Sequence, residues 1–247
     1  VSQPFSRYFS LSPRNALIRY GETKLGKLNA VPHEHNFDAG AITWRQGVVE
    51  IGSLQIKPSE VCILTADHPG DLVGLIEELV GYRPSNLHPL RLAGQDLETL
   101  RASERRKAIR LVQSRAVLFT GTVLDNITGF RSTSRRDQAI ALCKQLGIHD
   151  RIVALPRGYE TVIGEQAEFP LGPGMAFRIS VAAALLEQPA LLLIDACLHK
   201  LDIASLEWLN GLHSEVPRLI AMSDLPYGFN TPINCVDLTV MRGAALA

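Results

Sequence analysis

No apolar run in the 247 residues is long enough to cross a membrane. The longest candidate, 179–198, is broken by Glu187, Gln188 and Pro189, whereas a span needs roughly 18 or more apolar residues in sequence. No secretory leader is read at the start, and the opening Val1 predicts a domain cut from something longer. Net charge is also missing: 25 Lys+Arg balance 25 Asp+Glu. That removes the basic footprint which nucleic acid or an anionic lipid surface would need, so no nucleic-acid partner is expected. The four cysteines, Cys62, Cys143, Cys197 and Cys235, form neither a CxxC pair nor a Cys/His cluster. They are expected to be buried free thiols in a reducing compartment, and no metal site is expected.

What is present is an ordinary globular composition, 46% hydrophobic and 20% charged, enough for one large α/β domain or two small ones. Residues 1–36 are polar, with prolines at 4, 13 and 32; they read as a linker with a short helix near 16–27. From there, 41–44 and 48–56 alternate as antiparallel strands. VCIL (61–64) is a buried strand, followed by a loop and a helix with apolar spacing over 72–80. A strand and turn at 90–97 precede a basic helix, RASERRKAIR, expected to be a solvated face. Residues 135–146 are amphipathic and end at Gly147. The chain centres on 161–202. There LGPGM (171–175) reads as a Gly/Pro turn before the Ala-rich helix 178–186. The run ALLLI (190–194) then reads as a fully buried parallel strand ending on Asp195. An acid at the C-terminal end of such a strand sits where open α/β sheets bind ligands. A last core strand is read at 219–222.

Turn, helix, buried strand, Asp and LxxLD, in that order, resemble the signature-to-D-loop core of an ABC transporter nucleotide-binding domain of the exporter kind. The likeness extends over about 40–243. LVQ at 111–113, with LFTGT at 118–122 and Asn126-Ile127, is similar to the V-x-Q and LFxGT run around the Q-loop of exporters. LPRGYETVIGE (155–165) is similar to LPxGYxTxxGE, and 236–243 resembles the closing hairpin. The resemblance implies an α/β fold of the ABC-type P-loop NTPase class. Such a fold has a mixed core sheet flanked by helices, an antiparallel β subdomain, and a helical subdomain at about 114–186, all within 37–247. It also implies partners: a transmembrane domain and a second nucleotide-binding domain, homo- or heterodimeric. The expected location is cytoplasmic, at the inner face of a membrane, as part of a transporter.

Against the family pattern the phosphate loop falls on 65–72, TADHPGDL. Gly70 is kept, Asp71 stands where the family has Lys, and Leu72 where it has a metal-binding Ser or Thr. A phosphate loop works through backbone N–H groups, a Lys ammonium and a hydroxyl on Mg²⁺. An inverted unit charge about 4 Å away turns an attraction of about 4 kcal/mol into a repulsion of that order at an effective dielectric near 20. The signature reads LGPGM for LSGGQ, so Gly172 replaces Ser while Gly174 is retained. Ala196 stands where the family has its general-base Glu, and Asp224 where it has a switch His. The residues which the resemblance assigns to a vestigial nucleotide site are Trp44, Gly70, Asp71, Gln113, Gly174, Asp195 and Asp224. Gln113 and Glu165 are its coupling residues, and no catalytic residue is assigned. Trp44 is either an adenine-stacking residue or a strand Trp packed on its sheet. The expectation is a silent domain without a cofactor, although ATP with Mg remains open. The alternatives are an ATP-binding subunit active with a partner and an interaction module outside transport.

Overall fold

The computed structural model describes residues 47–84, 89–164, 167 and 170–238. Trp44, Glu165, the linker 1–36, the strand expected at 41–44 and the end of the closing hairpin lie outside these residues.

Short apolar alternations make a hairpin of β1 (Val49–Ile51) and β2 (Leu54–Ile56). The fully apolar VCIL run becomes β3 (Val61–Thr65), which feeds helix α1 (Pro69–Leu79). Then come β4 (Leu90–Leu92), β5 (Gln95–Asp96), a 3-10 turn at Leu97–Thr99, α2 (Ala102–Ala108) and β6 (Ile109–Gln113). The helical part holds β7 (Gly121–Thr122), α3 (Val123–Thr128), α4 (Ser132–Gln145), α5 (His149–Val153), β8 (Val162–Ile163) and α6 (Pro173–Leu186). The chain closes through β9 (Leu191–Asp195), α7 (Ile203–Asn210), β10 (Arg218–Ala221) and β11 (Asn234–Asp237).

The expected mixture of parallel and antiparallel pairing is present and is divided between sheets. The main sheet is wholly parallel, in the order β11-β3-β10-β9-β6. A separate antiparallel sheet runs β2-β1-β4-β5, and β7 pairs with β8. Parallel strands need cover on both faces, and alternate side chains supply two cores. Ile63, Val112, Leu192, Ile194 and Ile220 face α3, α4 and α6. Cys62, Leu64, Leu191, Leu193 and Leu219 face α1 and the antiparallel sheet. The C-terminal ends of all five parallel strands therefore share one rim.

Local chemistry fixes several boundaries. Thr122 and Asp125 form a reciprocal capping box at the start of α3. Gly147, at φ 67°, takes the left-handed position after α4. LGPGM is not a turn before the helix. Gly172 is its N-cap and Pro173 its first residue, because a missing N–H and a fixed φ suit that position. The basic helix is not a purely solvated face: Arg105 is buried and donates to the Leu97 and Glu78 carbonyls at 2.6 and 3.3 Å. Nor are all thiols buried, since Cys235 lies exposed on the edge strand β11. No helix among the described residues is long and apolar enough to cross a membrane.

Candidate functional site

Strand register and the loops that follow bring five of the expected site residues to the rim. Gln113 at the end of β6 lies opposite Asp195 at the end of β9, and Asp195 lies opposite Ala221 of β10. Leu64 pairs with Ala221 and Thr65 with Asp237, so the loop leading into α1, with Gly70 and Asp71, leaves from the same edge. Asp224 follows β10 by three residues. Gly174 sits in the first turn of α6 and has no described hydrogen bond to this rim.

The loop from β3 to α1 holds no Lys or Arg. Pro69 occupies its first helical position, with Asp71 in the first turn. A carboxylate there complements the positive end of the helix dipole, worth roughly 0.3–1 kcal/mol at an exposed site. The N–H of Asp71 is bonded to the carbonyl of His68 at 3.0 Å. A Cβ added at Gly70 would meet nothing within 4 Å, so no close contact within the chain requires glycine there. Leu72 is fully buried, packed in the same core as Leu75, Ile76 and Leu79. The position expected from the resemblance to present a hydroxyl carries an inward-facing hydrocarbon.

At the end of β9 the acid is held by its own turn. Cys197 N–H donates to Asp195 Oδ1 at 3.1 Å, and Ser114 N–H donates to the Asp195 carbonyl at 2.8 Å. Ala196 has no exposed surface and belongs to the core. Burial, together with the neighbouring Asp195 charge and hydrogen bond, pushes the Cys197 thiol well up, so it is held as the neutral thiol. Asp224 is paired. Lys200 Nζ donates to its Oδ2 at 2.8 Å, and this hydrogen bond and charge hold the carboxyl below its ordinary value. Ser114 Oγ donates to the His199 carbonyl, tying the segment after Gln113 to the one after Asp195. Asp202 caps α7, accepting from Ser205 N–H at 2.7 Å. Lys200 and Ser114 were not singled out from sequence. Their partners lie 24 and 85 residues away, and no local signal marks the pairs.

The segment that follows Gln113 exposes apolar side chains. Phe119 and Phe130 meet edge to face with centroids 6.3 Å apart, and both are about half exposed, as is Val117. Asn126 clamps the Phe119 backbone in both directions, accepting from its N–H at 2.8 Å and donating to its carbonyl at 3.0 Å. Gly164, at φ 117°, lets the strands close, since a Cβ there would lie 2.7 Å from the Thr120 backbone. The patch is thus rigidly mounted.

A parallel sheet with helices on one face, and a helix plus an antiparallel sheet on the other, with strand-end loops converging on one rim, is the α/β architecture of P-loop NTPase domains. A solved structure of a bacterial Atm1-family ABC exporter with ATP bound shares this fold at TM-score 0.56. It covers 85% of this chain and 40% of that one, at 22% identity. No protein-family model matches the chain. Curated relatives include the human ATP-binding cassette sub-family B member 6, 34% identical over 194 residues, which are 78% of this chain and 23% of that protein. The mitochondrial ATP-dependent permease MDL2 of Saccharomyces cerevisiae is 32% identical over 213 residues, 81% of this chain and 26% of that one. The ABC multidrug transporter E of Aspergillus fumigatus is 35% identical over 142 residues, 57% and 11%. The chain belongs to the ABC transporter family, as a nucleotide-binding domain of the exporter type. It spans between about a tenth and about a quarter of the length of these three relatives.

Proposed function

We propose that this domain is catalytically silent and serves as a structural or regulatory partner in a membrane transport complex. The observation that carries the reading is the rim itself. At 71, 72, 196 and 224 a group that would touch phosphate, metal or water is replaced by one that cannot serve, although Gly70, Gln113, Gly174 and Asp195 are kept. Asp71 opposes the anion, Leu72 is buried and without oxygen, and Ala196 cannot orient water. Asp224 is already committed to Lys200. The residues present do not fit a magnesium-bound triphosphate.

What is retained suits docking. The half-exposed Val117, Phe119 and Phe130 in the segments after Gln113 support contact with an apolar helix of a transmembrane domain. Leu198, Leu225 and Tyr227, exposed on the loops after β9 and β10, support a second nucleotide-binding domain facing the rim. The domain would then lie at the cytoplasmic face of the membrane.

Calorimetric titration with Mg-ATP tests the reading. Affinity weaker than about 1 mM, less than about 4 kcal/mol of binding, is expected. A dissociation constant in the micromolar range would overturn it in favour of an ATP-binding subunit completed by its partner.

A further inference from the structure

Glu187 closes α6 at its C-terminal end, where the helix dipole disfavours an anion. The helix therefore does not account for it; three arginines from elsewhere do. Arg110 Nη2, from β6, lies 3.4 Å from Oε2. Arg131 Nη2, from the turn between α3 and α4, donates to Oε1 at 2.6 Å. Arg135, on α4, donates through Nη1 to the same oxygen and through Nη2 to the Leu186 carbonyl at 2.6 Å. The carboxylate is three-quarters buried, and Arg110 Nε is buried with no hydrogen-bond partner among the described residues. Removing the Glu187 charge leaves three like charges converging on one helix end.

We propose that Glu187 is a positioning latch: one titratable carboxylate that fixes the helices α3, α4 and α6 against the strand ending in Gln113. The latch follows from these four side chains and does not depend on the silent-site reading. Among the described residues, the charged groups facing Glu187 from the packed elements are the three arginines. Burial pushes its carboxyl up, but the Arg135 hydrogen bond and the charges of Arg135, Arg131 and Arg110 outweigh burial and hold it below its ordinary value. A depressed carboxylate contributes stability that is complete above the unfolded-state value and is lost as pH falls through the folded-state value. The latch is therefore closed at neutral pH and opens in acid, below the ordinary carboxylate range.

Hydrogen exchange read by mass spectrometry on the whole chain tests it. In Glu187→Gln at pH 7, α3 and α4 amides should exchange severalfold faster, while α1 and β3 keep wild-type protection. After correction for intrinsic exchange, wild type should lose the same protection on acidification, and the variant should lose no more. Unchanged α4 protection in the variant, or loss spread equally over α1, overturns the latch. Should Glu187→Gln not fold, Arg131→Gln removes only the most exposed of the three partners. It should give a smaller increase confined to the same helices, and wild-type exchange in it overturns the proposal. A failed latch leaves the silent-site reading standing, since that is decided by the Mg-ATP titration.

Discussion

A hydroxyl at position 72 would hang from a helical turn whose inner face is hydrocarbon, because Leu72 packs with Leu75, Ile76 and Leu79 without exposed surface. Restoring the family's residue is therefore not a neutral repair. Leu72→Ser should lower stability by about 2–5 kcal/mol, since it deletes buried methyl groups and leaves a polar atom among them. Urea unfolding measures this, and a loss under about 1 kcal/mol would place the side chain outside the core. Asp71 shows the two halves of what sequence reveals. Its negative charge in the loop from β3 to α1 was legible directly, because charge is a property of the residue alone. That the same carboxylate also sits in the first turn of α1, complementing its dipole, required knowing that the helix starts at Pro69.

Three helices meet at Trp208: α7, which carries it, α6 and the end of α4. The indole N–H donates to the Leu146 carbonyl at 3.0 Å, its ring meets Phe177 edge to face at 6.3 Å, and the Arg178 guanidinium lies 5.3 Å from its centroid. Arg178 Nε is buried without a hydrogen-bond partner among the described residues, so the ring face is part of what holds that cation. Trp208→Leu should destabilise by about 2–4 kcal/mol, from a lost hydrogen bond, a lost cation–π contact and lost ring packing. The loss should appear as faster exchange in α6 and α7 while the β1–β2 hairpin is unaffected. Equal loosening of both regions would mean that Trp208 acts on global stability alone. The helix expected over 178–186 was legible from its apolar, Gly- and Pro-free run. Its first turn was not, because Pro173 reads as a breaker unless its neighbour is known to be an N-cap.

Across the whole molecule, three of the four thiols are sealed in the two cores and one lies at a sheet edge. Burial pushes Cys62 up to about 12 and Cys143 up to about 11, so neither presents thiolate at neutral pH. Maleimide at pH 7 should label Cys235 within minutes and the other three only on unfolding. Mass spectrometry counts the adducts, and rapid labelling of Cys62 or Cys143 would contradict the packing of β3 or α4. Sequence by itself determined the buried strands β3, β9 and β10 and the acid at the end of β9. Each is carried by a short apolar run or by the chemistry of one side chain. Only tertiary structure decided that Leu72 points into a core, that Lys200 occupies Asp224, and that Glu187 gathers Arg110, Arg131 and Arg135. Those outcomes depend on which faces meet when the sheet closes, and the ion-pair partners lie 24 to 77 residues apart in the chain, with no local pattern to announce them.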